Sequence, residues 1–247
     1  MDKYGLIGYP LSHSFSKGYF ADKFEKEDID AVYDNYELSS IDQVLPLLSD
    51  SSVNGLNVTI PYKEKILPYL DDLDETAKAI GAVNVVRFVN TDSGRKAIGY
   101  NSDVIGFMNS IRPHLKPEHT HALILGTGGA AKAVEYGLRK EGLAVCYVSR
   151  TSNPESGILS YEQITSELLK TYTVIVNTTP VGMYPHIEQS PAIPYEFLTN
   201  NHLLYDLIYN PSETLFMKKG KDAGAEAFNG LEMLYLQAEA AWQIWNK

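Results

Sequence analysis

The chain has 247 residues, with 31 acidic and 21 basic side chains and a formal net charge of −10. That length supports one large or two modest domains with real cores, and the acidic balance excludes a nucleic-acid binder, which needs a basic face for phosphates. No apolar run approaches the roughly 18 residues that cross a bilayer, and Pro10 with its hydroxyl neighbours interrupts the N-terminus too early for a signal peptide. The expectation is a soluble cytoplasmic protein without a membrane or nucleic-acid partner.

Residues 4–7 read as a strand and 14–25 as a helix, with Phe15, Tyr19, Phe20 and Phe24 forming its apolar stripe. Residues 32–38 alternate as a strand, 43–48 form a short helix, and 55–59 form a strand broken by Pro61. The segment Asn57-Val58-Thr59-Ile60-Pro61-Tyr62-Lys63-Glu64 is expected to end that strand and open a new helix, with the proline near its first turn. Lys63 then leaves the C-terminal edge of a strand, where open α/β sheets bind ligands. Residues 83–89 and 96–99 flank the turn Thr91-Asp92-Ser93-Gly94. Gly99-Tyr100-Asn101-Ser102-Asp103 puts an acid at another strand-to-helix turn, a place the helix dipole alone would favour.

The second half has a cleaner rhythm. Residues 122–125 form a continuous apolar run suited to the inside of a parallel sheet, and 130–140 form a helix stopped by Gly142. Residues 145–148, 174–176 and 203–207 repeat the strand signal, which makes βαβ units and a doubly wound sheet. The last helix, 231–245, is apolar and aromatic over much of its surface and is expected to return to the first domain. The chain therefore reads as α/β with two domains: 1–101 plus 231–247, a mainly parallel sheet domain for substrate, and 102–230, a Rossmann-like cofactor domain.

Gly126-Thr127-Gly128-Gly129-Ala130 follows a strand and opens a helix. Glycines there allow a tight turn and a close approach of backbone N–H groups to a pyrophosphate. At the end of the next strand stand Ser149, Arg150 and Thr151. An acid at this place would suit the ribose of NAD; the planar fork of an arginine suits a 2′-phosphate, so NADP is expected. Cys146 lies in an apolar strand as a small hydrophobe, and the six scattered histidines make no metal site.

Ser14 and Ser16 sit two apart where a helix begins, able to bind a carboxylate or, for Ser14, simply to cap the helix. Lys63 alone would be a solvated lysine. Together the segments supply a reaction: oxidation of a secondary alcohol needs a hydride acceptor and a group that takes the hydroxyl proton. Lys63 and Asp103 are read as one coupled proton-transfer unit.

Taken in order, GYPLSHSFS, NVTIPYKE, GAVN, GYNSD, GTGGAAKA, SRT, VNTTPVGM, YDLIYNP and NGLEMLYLQA cover nearly the whole chain, and in that order it resembles the shikimate dehydrogenase family. The resemblance implies an NADP-dependent oxidoreductase that reversibly reduces 3-dehydroshikimate to shikimate in aromatic amino-acid biosynthesis. It implies Lys63 as catalytic base and acid with Asp103 as partner, and substrate contacts from Ser14, Ser16, Thr59, Asn84, Tyr209 and Gln237. Cofactor contacts fall on Gly126, Thr127, Gly128, Gly129, Ala130, Ser149, Arg150 and Thr151, and on Leu207 and Gly230 near the nicotinamide. Lys17, Ser102 and Ser149 stand where the family more often has proline, threonine and asparagine. A quinate/shikimate dehydrogenase with relaxed substrate or NAD use, and more distantly a non-catalytic sensor of either ligand, share most of these features. The expected partners are small molecules only, in a monomer or homodimer.

Overall fold

The computed structural model describes residues 1–12, 14–92 and 94–247. His13, beside the expected carboxylate-binding serines, and Ser93, in the expected turn, lie outside the described residues. The chain divides into two α/β units, Met1–Ser102 with Ala238–Lys247, and Asp103–Gln237.

The first unit runs β1 (Asp2–Gly8), α1 (Phe15–Lys26), β2 (Ala31–Glu37), a 3-10 turn leading into α2 (Val44–Ser49), β3 (Val53–Val58), β4 (Asp72–Leu73), α3 (Glu75–Ile80), β5 (Val85–Thr91) and β6 (Gly94–Tyr100). Its sheet has the order β2-β1-β3-β5-β6-β4. β1 is parallel to β2 and β3, and β4 to β6, while β5 is antiparallel to both neighbours. β5 runs against the other described strands of this sheet, which makes both of its pairings antiparallel. The spacing of Phe20 and Phe24 puts both on the buried face of α1.

The second unit runs α4 (Asp103–Ile111), β7 (His121–Leu125), α5 (Gly129–Lys140), β8 (Ala144–Ser149), β9 (Ile158–Ser160), α6 (Ser166–Thr171), β10 (Val174–Asn177), β11 (Leu203–Asp206), α7 (Leu215–Asp222) and β12 (Glu226–Phe228). Its sheet is parallel throughout, in the order β12-β11-β10-β7-β8-β9. The order reverses between β7 and β10, the switch point at which doubly wound sheets take their ligands. Leu123, Leu125, Val148, Ile175 and Leu204 fill the core around it. Cys146, expected to be buried, is only partly so, and that burial pushes its thiol up.

The final helix, α8 (Leu231–Trp245), has Leu231–Gln237 counted with the second unit and its remainder with the first. In the first unit Ala238, Ala241, Ile244 and Trp245 join Tyr4, Phe20, Phe24 and Tyr33 in one cluster. Glu239 accepts from Lys23 at 3.1 Å and from the Tyr19 hydroxyl, tying α8 to α1. The Trp245 indole lies flat on Gly55, where a Cβ would come within 2.4 Å of it, and donates to the Val86 carbonyl at 3.1 Å. Among the described residues no helix is long and apolar enough to cross a membrane.

One element differs from expectation. No α-helix follows Pro61; the chain makes turns and then a 3-10 turn at Leu67–Tyr69. The lone i→i−4 bond, from the Ile66 amide to the Tyr62 carbonyl at 3.0 Å, is not propagated. Pro68 has no N–H and so cannot give the i→i−4 bond to the Glu64 carbonyl; the chain tightens into the 3-10 turn instead.

Candidate functional site

In the first unit the expected substrate residues gather at one edge of the sheet. Ser14 and Ser16 lie at the start of α1 after the β1 exit loop, and Thr59 and Lys63 follow β3, the parallel neighbour of β1. Asn84 precedes the antiparallel β5 and so meets the same edge: its carbonyl accepts from the Val58 amide at 2.8 Å. The exit loops of β1 and β3 are joined by the Thr59 amide on Ile7 and the Tyr9 amide on Ile60. Lys63 is half-buried, and its own carbonyl takes the Val83 amide at 2.8 Å, which anchors the backbone that carries it.

Ser14 occupies the N-cap position of α1 but makes no cap hydrogen bond, and its buried Oγ has no partner among the described residues. Capping therefore does not account for it. A buried hydroxyl without a partner costs roughly 1–3 kcal/mol, a cost that a ligand accepting from it would remove. The Ser16 hydroxyl instead stands near enough to the Tyr33 phenol to work against the burial that raises it. Tyr33 donates in turn to Asn57 Oδ1 at 2.7 Å, and Asn57 Nδ2 donates to the Asn84 carbonyl at 3.2 Å. Because that carbonyl only accepts, it settles the orientation of the Asn57 amide and the direction of the whole relay. Burial pushes the Tyr33 phenol far up, so it stays a neutral donor. Tyr33 and Asn57 were not singled out in the sequence; a tyrosine and an asparagine in strands carry no periodic signal.

The Asn84 side chain closes a reciprocal clamp on Ser102. Its Oδ1 accepts from the Ser102 amide at 2.6 Å and its Nδ2 donates to Ser102 Oγ at 3.0 Å. This holds the backbone immediately before Asp103, the buried first residue of α4. Within the second unit, Gly106 lies one turn beyond Asp103, and a Cβ there would come within 2.8 Å of Gln237 on α8. Asp103 and Gln237 therefore stand on two helices in close contact. Tyr209, 37% exposed, lies on the loop after β11.

The glycine loop fits a dinucleotide phosphate. Gly126 has φ +109°, open to glycine at little cost, and a Cβ would come within 2.7 Å of Thr178 Oγ1. Gly128 is the N-cap of α5, with no side-chain cap and no acid in the first turn, and open space where a Cβ would be. The leading N–H groups of α5, with Gly129 and Ala130 at its start, are thus presented to an anion. Thr127 joins Ser149, Thr151, Ser152, Asn153, Pro154, Glu155 and Ile158 around a groove of about 650 Å³. Arg150 is exposed and is not on that lining, but its charge reaches Tyr161 and works against the burial that raises this phenol. Asn153 and Glu155 in the groove are additions that the sequence did not mark. Leu207 and Gly230 are in backbone contact: a Cβ on Gly230 would stand 2.2 Å from the Leu207 carbonyl oxygen.

Comparison with known proteins agrees with both halves. The family profile described as the shikimate dehydrogenase substrate binding domain matches residues 6–86. The NADP(+) shikimate dehydrogenase of Carboxydothermus hydrogenoformans is 37% identical over 98% of this chain and 90% of its own length. The crystal structure of shikimate dehydrogenase from Aquifex aeolicus superposes with a TM-score of 0.86 at 37% identity, covering 100% of this chain and 92% of that one. The Thermus thermophilus enzyme in complex with NADP(H) and shikimate does so with a TM-score of 0.84 at 30% identity, over 99% and 93%. With the two α/β units, the family profile and full-length relatives in agreement, the chain belongs to the shikimate dehydrogenase family, NADP-dependent oxidoreductases acting on a secondary alcohol.

Proposed function

We propose that Lys63 and Asp103 are the proton-transfer pair for the reversible reduction of 3-dehydroshikimate to shikimate, with residues 1–101 and 231–247 serving substrate and 102–230 serving NADP. The observation that carries this reading is Ser14: a buried hydroxyl without a partner among the described residues, at the sheet edge that also bears Ser16, Thr59, Lys63 and Asn84. In the reading, Ser14 and Ser16 take the substrate carboxylate, and Thr59, Asn84, Tyr209 and Gln237 orient the ring hydroxyls. Lys63 gives a proton to the carbonyl oxygen as it becomes a hydroxyl, and takes it back in the oxidative direction. Asp103 is the partner of Lys63 in that transfer. NADP supplies or accepts the hydride when bound. Gly126 to Ala130 hold its pyrophosphate, and Ser149, Arg150 and Thr151 hold its 2′-phosphate, where a guanidinium offers a matched bidentate fork. Leu207 and Gly230 line the nicotinamide side.

The net charge of −10 supports small-molecule partners in place of nucleic acid, and the reading places the enzyme in the cytoplasm as a monomer or homodimer. Steady-state rates with shikimate and with quinate, each with NADP and with NAD, test the assignment. Turnover of shikimate with NADP should dominate; equal turnover of quinate would replace it with the broader quinate/shikimate activity. Lys63→Ala should lower kcat by about 10²- to 10⁴-fold with a much smaller change in the Kd for shikimate. Retained turnover would remove Lys63 from the chemistry.

A further inference from the structure

We propose that Asp206 is a positioning residue for cofactor binding, holding the Leu207–Gly230 contact in place as a triple hydrogen-bond acceptor. The inference rests on the reading that Leu207 and Gly230 line the nicotinamide side.

Asp206 ends β11, is fully buried, and meets three donors from three stretches of chain. Oδ1 accepts from Asn177 Nδ2 at 3.0 Å and from the Ile208 amide at 3.1 Å, and Oδ2 accepts from Thr214 Oγ1 at 2.6 Å. Each donor ties down a further segment. Asn177, at the end of neighbouring β10, takes the Leu207 amide on its carbonyl at 3.0 Å, while its Oδ1 accepts from the Thr179 amide and hydroxyl at 3.1 and 2.6 Å. Thr214 is the N-cap of α7 and accepts from Met217. Ile208, bound to Asp206 through its amide, takes the Gly230 amide on its carbonyl at 3.1 Å. Leu207 is thus held on both sides: by Asn177 through its own amide, and by the Asp206–Ile208–Gly230 links around it.

Stability alone is a poor reason for this carboxylate. No cation is among the influences on Asp206; burial raises its pKa to about 6, and only the three hydrogen bonds pull it back. An apolar side chain of similar size would fill the core without that desolvation cost. What an apolar residue cannot do is accept from a side-chain amide, a backbone amide and a hydroxyl at once. The geometric function explains the residue type, and it falls on the turn whose placement decides how closely the nicotinamide can approach.

Asp206→Ala tests this by NADP titration of the purified protein and by steady-state kinetics on the folded fraction. The Kd and KM for NADP should rise roughly 10- to 100-fold, the cost of about 1 Å of misplacement, while the Kd for shikimate in cofactor-free protein stays within about 2-fold. Asp206→Asn keeps an acceptor for Asn177 and Ile208 and can donate to Thr214, so it should restore NADP affinity to within about 3-fold. Thr214→Val, which removes one donor, should give an intermediate loss and serves if the alanine variant does not fold. Unchanged NADP affinity in both Asp206→Ala and Thr214→Val would overturn the inference, as would an equal loss of both ligands. Gly230→Ala separates the inference from the reading beneath it, since its Cβ drives into the Leu207 backbone. If Gly230→Ala weakens NADP binding and Asp206→Ala does not, the positioning role alone fails; if neither does, the placement of the nicotinamide fails.

Discussion

Replacing Asp206 with asparagine should change how stability depends on pH, by an amount the structure sets. Burial moves the carboxyl from 3.8 to about 6. The native state therefore holds this proton more tightly than the unfolded chain does, and stability falls as pH rises through that window. At about 1.4 kcal/mol per unit, the ionised carboxylate costs the native protein about 3 kcal/mol once pH exceeds 6. Asparagine does not titrate. The difference in unfolding free energy, variant minus parent, should thus grow by about 3 kcal/mol from below pH 4 to above pH 6, with about half of the change between pH 5 and 8. Urea unfolding followed by tryptophan fluorescence at several pH values measures this difference directly, and any constant effect of the substitution cancels from its slope. Curves for the two proteins that stay parallel across the range would show that Asp206 titrates as an ordinary surface acid and would refute the electrostatic reasoning.

Ser14→Ala should raise the KM for shikimate while leaving the melting temperature unchanged or slightly higher, because it deletes a buried hydroxyl that has no partner among the described residues; a lower melting temperature with normal kinetics would make Ser14 structural. Arg150→Ala should weaken NADP binding and leave NAD nearly untouched, read as the ratio of the two KM values, since only NADP carries the 2′-phosphate. Equal losses would contradict that role. Trp245→Ala should cost about 3–5 kcal/mol in denaturant unfolding, the usual price of truncating a large buried aromatic, here one packed on Gly55 and bonded to Val86. A cost below about 1 kcal/mol would mean that the end of α8 does not anchor the first unit.

Much of this molecule was legible in the chain because its signals are local. Periodicity placed α5 and α8 within a residue of where they lie, and the apolar runs marked β7, β10 and β11. Glycines marked the tight loop before α5, where Gly126 does take a positive φ. Local pattern failed where two local signals compete: Pro61 looked like a helix start, but Pro68 cannot give its i→i−4 bond, and Lys63 rides on turns instead. The short strand β4 escaped for lack of length, since two strand residues carry too little periodicity to stand out.

The rest depended on partners distant in the chain. Nothing near Tyr33 announces that it donates to an asparagine 24 positions on, or near Asn84 that it clamps a serine 18 positions later. Asp206 reads as the ordinary end of a strand until Asn177, 29 residues earlier, and Thr214 converge on it. Sequence by itself determined which residue types could do the chemistry, where the longer strands and helices lie, and that a glycine loop opens α5. Tertiary structure alone decided which of those side chains are buried, which have partners, and which are left open for a ligand. The physical reason is that helix and strand periods are set by neighbours two to four residues away, whereas hydrogen-bond satisfaction is settled only when the fold brings remote donors and acceptors together out of water.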